Sequence, residues 1–339
     1  MISALVVVSF LLSMCLTRMF MNPSSFLHII DHPNERSLHV TPIPRAGGVA
    51  IIAAFFIGAG IAELLFDTVV SLALLFCALL VAAVSLVDDC YSLSAALRFV
   101  IHFCAAMLLL ANGYTLSALE LPGFLWQWPE YVSFVVSCFF IVWAINLYNF
   151  MDGMDGFAAG MAIVGFSCFA ILGWQADHQG FMVANLVLVG AVSGFLWFNF
   201  PPAKIFMGDV GASTLGFCMA AFSLWASVDK IFPIWVAVLV FSPFIVDATI
   251  TLVRRALAGE RVWEAHKSHF YQRLVQLGWG HKKTVLHGYL LMVLCGISAC
   301  YSLQMSVFIQ WLVIVIWTVI YVVIMIRITR LECQCVIKT

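Results

Sequence analysis

This chain has little charge: only 10% of its 339 residues are Asp, Glu, Lys or Arg, against about 25% in an ordinary soluble domain. With 64% hydrophobic residues and a mean hydropathy of +1.06, too few polar side chains exist to cover a water-facing surface. It also lacks an excess of positive charge. Lys and Arg number 16 against 17 Asp and Glu, so no global basic field exists to bind nucleic acid. Histidines and cysteines at zinc-binding spacing are missing. Most of the 11 cysteines stand singly in apolar runs (Cys15, Cys77, Cys104, Cys138, Cys168, Cys218) and read as small buried hydrophobes. Short alternating strands are absent as well, which excludes a membrane barrel.

Long apolar runs are abundant. A bilayer core of about 30 Å needs about 20 apolar residues per helix, and eleven such runs emerge: 2–20, 47–65, 69–87, 95–111, 131–149, 156–174, 181–200, 210–227, 231–253, 284–303 and 307–328. The first has neither a basic leader nor a small-residue cleavage site, so it reads as a retained helix. The expected fold is all-α: a single polytopic membrane domain over 1–339 with about eleven transmembrane helices.

Eleven spans place alternate connections on opposite sides, and basic residues favour the cytoplasmic side. Of the 16 Lys and Arg, only Lys230 falls on the other side. The N-terminus is therefore expected outside and the C-terminus in the cytoplasm, with cytoplasmic loops at about 22–46, 88–94, 150–155, 201–209 and 254–283.

Asp88, Asp89, Asp152, Asp155, Asp209 and Asp247 all fall at or just inside cytoplasmic helix ends. Ionisable groups near hydrocarbon persist mostly when they pair, bind ions or line a wet cavity. Acids arriving on one face from separate connections point to a shared site. Taken alone, Asp88-Asp89 reads equally as a polar helix end, and Asp209 as a helix cap. Asn146, Asn149, Asp152 and Asp155 recur every three residues, which on a helical path would stack them on one side. Asp-Gly turns are the alternative there. Oxygen donors from Asn149, Asp152, Asp209 and the 88–89 pair suit Mg²⁺.

The last long loop supplies opposite charge: Arg254, Arg255, Arg261, His266, Lys267, His269, Arg273 and His281, over an expected helix. Many of these satisfy the cytoplasmic basic bias alone. His266 and His269 add little constant charge; at i and i+3 on a helix they would share a face suited to phosphate oxygens. Arg36, His39 and Arg45 add donors from the first loop, Lys204 from the turn before Asp209, and Arg98 from the helix after the acidic pair.

Five segments in order, HPNERSLHVTPIPRAGG, VDDCYSL, NLYNFMDGMDG, KIFMGDVGAS and AHKSHFYQRL, resemble the bacterial polyprenyl-phosphate N-acetylhexosamine-1-phosphate transferases. The resemblance implies transfer of a sugar 1-phosphate from a UDP-N-acetylhexosamine to undecaprenyl phosphate, giving undecaprenyl-diphospho-sugar and UMP. It implies Mg²⁺, for which Mn²⁺ can substitute, and a bacterial inner-membrane location with the site facing the cytoplasm. Asp209 and Asn149 then correspond to metal ligands. Asp88 and Asp89 correspond to the pair acting on the lipid phosphate, Asp152 and Asp155 to the pair near the nucleotide, and His266 and His269 to catalytic histidines. Asn146, Asn149, Arg98, Lys204, Arg36, His39, Arg45, Arg261 and Lys267 fall to substrate binding. A homodimer is compatible with this reading.

Departures narrow the subgroup. Phospho-MurNAc-pentapeptide transferases carry three consecutive histidines where this chain has His266-Lys267-Ser268-His269, which points instead toward O-antigen initiation. Ala96 stands where enzymes using UDP-GlcNAc often carry a lysine. A DDxxD prenyltransferase motif would need Asp at Ser92. A CDP-alcohol phosphotransferase would need Ala-Arg after Asp152-Gly153, where Met154-Asp155 stand. A secondary transporter would place its polar groups near the midplane, where these helices carry no acids.

Overall fold

The computed structural model describes all residues except 34–37, 39–40, 67–69, 262–265 and 339, and the side chains of 335–338. Arg36 and His39 thus lie outside the described residues. The chain is mostly helical: α1 Ile2–Phe20, α2 Gly47–Phe66, α3 Leu72–Tyr91, α4 Ala95–Ala111, α5 Glu130–Met151, α6 Phe157–Gln175, α7 Gln179–Asn199, α8 Gly208–Val228, α9 Ile234–Val240, α10 Ser242–Leu257, α11 Phe270–Leu274, α12 Gly280–Ser302 and α13 Val307–Lys338. Among the described residues, nine helices are long and apolar enough to cross a membrane, and α9 with α10 makes a tenth if that bent pair is one span. The protein is an integral membrane protein. α4, the remaining expected span, has the expected bounds but only 17 residues.

α8 is the centre of the bundle. Every residue from Val210 to Ala226 is buried, against α2, α3 and α5. Lipid is as apolar as leucine, so helices in a membrane gain most from close backbone approach through small residues. The α1–α7 contact is built this way. A Cβ on Gly190 would stand 2.6 Å from the Val6 carbonyl oxygen, and one on Gly194 2.3 Å from that of Phe10.

Two features differ from the sequence expectation. The run over 231–253 was expected to be one span, but the chain bends by 81° between α9 and α10. Pro243 opens α10 without an N–H to continue the ladder, and the Leu239 carbonyl freed by the bend accepts from Ser242 Oγ at 2.7 Å and Cys295 Sγ at 3.0 Å. The helix expected across the last loop is reduced to α11 and a π-turn over Val275–Trp279, broken at Gly278, whose φ is 88°. Two small antiparallel ribbons also form, Ile30–Asp31 with Ile43–Pro44 and Ala118–Leu121 with Phe124–Gln127.

The starts of α2, α4, α6, α8 and α12 and the ends of α3, α5 and α7 meet at one end of the bundle, around one cavity. At the other end Asp229 joins His178 to Trp225, at 3.0 and 2.6 Å.

Candidate active site

α3 ends on the acidic pair. Ser92 turns the chain at φ 52°, which brings the Leu93 N–H onto Asp88 Oδ1 at 2.6 Å. One turn into α4, Arg98 Nη1 donates to Asp88 Oδ2 at 2.6 Å and to Asp209 Oδ2 at 3.2 Å. Asp88 is buried and does not line the cavity; it holds Arg98, which does.

Asp89 has a different part. Its Oδ1 and Oδ2 accept the backbone N–H groups of Asp209 and Val210 at 3.3 and 3.2 Å, so it closes the exposed start of α8, where Met207 provides no side-chain cap. Gly208 makes this approach possible. Its φ is +71°, and a Cβ there would stand 2.5 Å from the Arg45 carbonyl oxygen and 2.8 Å from Asp89 Oδ2. Arg45 donates Nη2 to the Asp89 carbonyl at 2.6 Å and lies 3.6 Å from the carboxylates of both Asp89 and Asp31.

α5 ends at Met151, so the three-residue series does not run along one helix face. Asn146 lies inside the helix, donating to the Val142 carbonyl at 2.7 Å, and does not reach the cavity. Asn149, Asp152 and Asp155 do. Burial, then the carboxylates of Asp209, Asp89 and Asp155, push the Asp152 carboxyl well above the usual carboxylate range. Asp155 Oδ2 accepts the Ala203 N–H at 3.0 Å, and its Oδ1 lies 3.1 Å from His281 Nδ1. The loop after Asp152 is held by Tyr271, whose hydroxyl accepts from Gly153 N–H at 3.1 Å, and by Asn199, which accepts from Gly156 N–H at 2.9 Å.

His266 and His269 do not sit on a helix: His269 caps α11 and His266 precedes it. Their rings nevertheless meet, with centroids 4.7 Å apart. His266 Nδ1 accepts from the Ser268 N–H at 3.3 Å, which assigns the ring proton to Nε2 as a donor. Burial, reinforced by His269 and Arg255, pulls His266 down to about 4. His269 is held by Asp247 of α10. Asp247 Oδ1 lies 3.3 Å from His269 Nδ1, and the carboxylate accepts the Phe270 and Tyr271 N–H groups at 2.9 and 3.1 Å.

The resulting cavity, about 470 Å³, is lined by Arg45, Asp89, Arg98, Asn149, Asp152, Asp155, Asp209, His266 and His269. It also takes in Asp31, Asn199, Gln272 and His281, which the sequence reading did not assign to the site. Lys204, Arg261 and Lys267 are exposed and outside it. A chain approaching Asp209, as Lys204 does in sequence, need not point its side chain inward; it turns after the buried Pro201.

Among the described residues, no three His, Cys, Asp or Glu side chains form a ready-made metal cage. Mg²⁺ does not require one, since it commonly takes one or two carboxylates and completes its shell with water and substrate phosphate. Asp152, Asp209 and Asn149 all present hard oxygen donors in the lining of the cavity. The crowding that disfavours charge on Asp152 is what a bound cation would relieve.

Comparison with known proteins identifies residues 71–227 as matching "Glycosyl transferase family 4". The probable undecaprenyl-phosphate N-acetylglucosaminyl 1-phosphate transferase of Bacillus subtilis is 30% identical over 299 residues, 86% of this chain and 83% of that one. The decaprenyl-phosphate N-acetylglucosaminephosphotransferase of Mycobacterium tuberculosis is 32% identical over 312 residues, 83% and 77% of the two chains. The phospho-N-acetylmuramoyl-pentapeptide-transferase of Geobacillus thermodenitrificans is 32% identical over 174 residues, only 50% and 52%. On this likeness along most of its length, the chain belongs to glycosyl transferase family 4.

Proposed function

We propose that this protein transfers an N-acetylhexosamine 1-phosphate from a UDP-sugar to undecaprenyl phosphate, releasing UMP, in the bacterial inner membrane with its cavity open to the cytoplasm. The observation that carries the reading is the convergence of acids, arginines and histidines from distant segments on one cavity at the ends of apolar helices. A phosphate carried on a long isoprenoid can reach such a site without leaving the membrane. Relatives named as GlcNAc-phosphate transferases, matched over more than three quarters of their length, favour UDP-GlcNAc over the pentapeptide donor. Ala96 does not oppose this, because Arg98 supplies the cation beside the acidic pair. The product would open synthesis of O-antigen or a related surface polysaccharide.

In this reaction an oxygen of the lipid phosphate attacks the β-phosphorus of the UDP-sugar. The bond from that phosphorus to the bridging oxygen breaks, and UMP departs with the oxygen. Mg²⁺, held by Asp209, Asn149 and Asp152, would neutralise charge on the diphosphate. Arg98, fixed between Asp88 and Asp209, orients the acidic wall. The Nε2–H of His266, with His269 beside it, donates to phosphate oxygens where charge develops. The decisive experiment supplies purified protein with undecaprenyl phosphate, Mg²⁺ and a panel of UDP-N-acetylhexosamines and measures UMP. UMP with at least one donor is expected; none with any donor removes the reading.

A further inference from the structure

The first turn of α12 brings a third histidine to the cavity. His281 lies twelve residues beyond His269 and lines the cavity together with Asp152, Gly153 and Asn199. Its side chain is only 20% exposed, and its Nδ1 is 3.1 Å from Asp155 Oδ1. The other Asp155 oxygen is taken by the Ala203 N–H at 3.0 Å. Asp155 is thus a bracket between the 203 turn and His281, with both oxygens engaged. A ring that gives Nδ1–H to a carboxylate keeps its tautomer and orientation and has Nε2 left for a ligand.

The charge pattern indicates which ligand. The cavity is crowded with carboxylates, yet both arginines among its described lining residues are spoken for: Arg45 by Asp89 and Asp31, Arg98 by Asp88 and Asp209. An anionic substrate entering here meets His266, His269 and His281 among its side-chain donors, beside the amides of Asn149, Asn199 and Gln272. His281 shares one feature with His269 and adds a second. Like His269, it is paired with a carboxylate, and it stands at the start of a 23-residue helix whose Trp279 cap position provides no side-chain acceptor. Unpaired N–H groups and the positive end of the helix dipole add to the attraction for an anion there.

We propose that His281, oriented by Asp155, binds the phosphates of the uridine nucleotide. The inference rests on the transferase reading above and adds to it a residue that holds the donor and the UMP product.

The test is binding, measured in detergent with Mg²⁺ present. UMP and uridine are titrated against wild type, His281→Ala, His281→Gln and, as a control, His287→Ala, whose exposed ring bonds to the Lys283 carbonyl, packs edge-on against Trp279 and does not line the cavity. His281→Ala should weaken UMP by about tenfold or more, as loss of one hydrogen bond to a charged group does. Uridine should be unaffected, and His281→Gln, which keeps an N–H donor, should fall between. In turnover, KM for the UDP-sugar should rise in His281→Ala while KM for the lipid phosphate stays. Equal loss of UMP and uridine, unchanged UMP affinity, or a wild type that does not bind UMP would each overturn the proposal. Wild type that binds UMP but turns over no UDP-sugar would remove the transferase reading and leave the binding comparison readable.

Discussion

The carboxylate of Asp89, at the end of α3, accepts the backbone N–H of Asp209, at the start of α8, across 120 positions of sequence. Two acids that look alike in sequence therefore have different duties. Asp89 satisfies the start of α8, while Asp209 turns its carboxylate to Arg98 and the cavity. Asp89→Ala should lower the thermal midpoint in detergent, since a lost helix cap costs about 1 kcal/mol. Asp209→Asn should leave the midpoint unchanged or raise it, because one of several crowded carboxylates loses its charge, and should lose most UMP release. Equal destabilisation by the two changes would contradict this division.

Metal dependence follows from the same crowding. Chelation should silence wild-type turnover, and Mg²⁺ or Mn²⁺ should restore it. A cation that binds only the folded protein also raises its thermal midpoint. That rise should appear in wild type and vanish in Asp209→Asn, which separates a ligand from a merely necessary residue. A rise of the same size in the variant would free Asp209 of this role.

Much of this arrangement was legible in the sequence, since apolar run length is nearly sufficient to locate membrane helices; α4 has the same bounds in both. Asp89, Asp152, Asp155 and Asp209 were legible because charge at helix ends in a membrane is rare; Asp31, in the first loop, was not. What escaped were features set by long-range partners. Asp247 sits within an apolar run, and nothing nearby in sequence shows that it will hold His269 and the start of α11. The bend before α10 had one local signal, Pro243. Asn146 was misplaced because its three-residue spacing continues past Met151, where the helix stops.

Sidedness can be tested directly. A reporter fused after Thr339 should behave as cytoplasmic and one ahead of Met1 as external, because 15 of the 16 Lys and Arg sort to one side under eleven spans. The structure brings the segments around 45, 89–98, 149–155, 199–209, 266–272 and 281 to one end of the bundle. A C-terminal reporter on the outside would reverse the sidedness of the cavity as well.

The histidines and lysines of the last loop should separate cleanly. Replacing His266 or His269 by Ala should cut turnover by about 10²-fold, as loss of a donor to developing charge does. Replacing Lys282 or Lys283 should matter far less, since both are exposed and Lys283 covers the Trp279 ring at 4.2 Å. His266 also makes a pH prediction. Its folded value of about 4 lies below the ordinary 6.5, so the folded state disfavours the proton. Its contribution to stability is full above pH 6.5 and declines as pH falls toward 4. Its ring resonances in the ligand-free protein should stay flat from pH 5.5 to 8; a midpoint near 6.5 would show that the ring is not held as described.

The last prediction concerns the hold of α13 on the loop. Arg273 of α11 is buried; it donates Nε to Glu332 Oε1 at 2.5 Å, pairs again with that carboxylate through Nη2, and reaches Thr329 Oγ1 at 3.1 Å. Its guanidinium also lies 4.6 Å from the Phe270 ring centroid, one residue from the His269 cap. The helix that presents His269 is therefore fastened on two sides, by Asp247 of α10 and by the end of α13. Glu332→Ala leaves a buried guanidinium without its counter-ion, which costs more than the pair itself contributes. Turnover should fall by about tenfold, and proteolysis within 258–269 should quicken. Replacing both Arg273 and Glu332 with Met should recover part of the lost thermal stability, because the desolvation penalty disappears with the charge. A double variant less stable than Glu332→Ala would mean that Arg273 supports the loop through Thr329 and Phe270 alone.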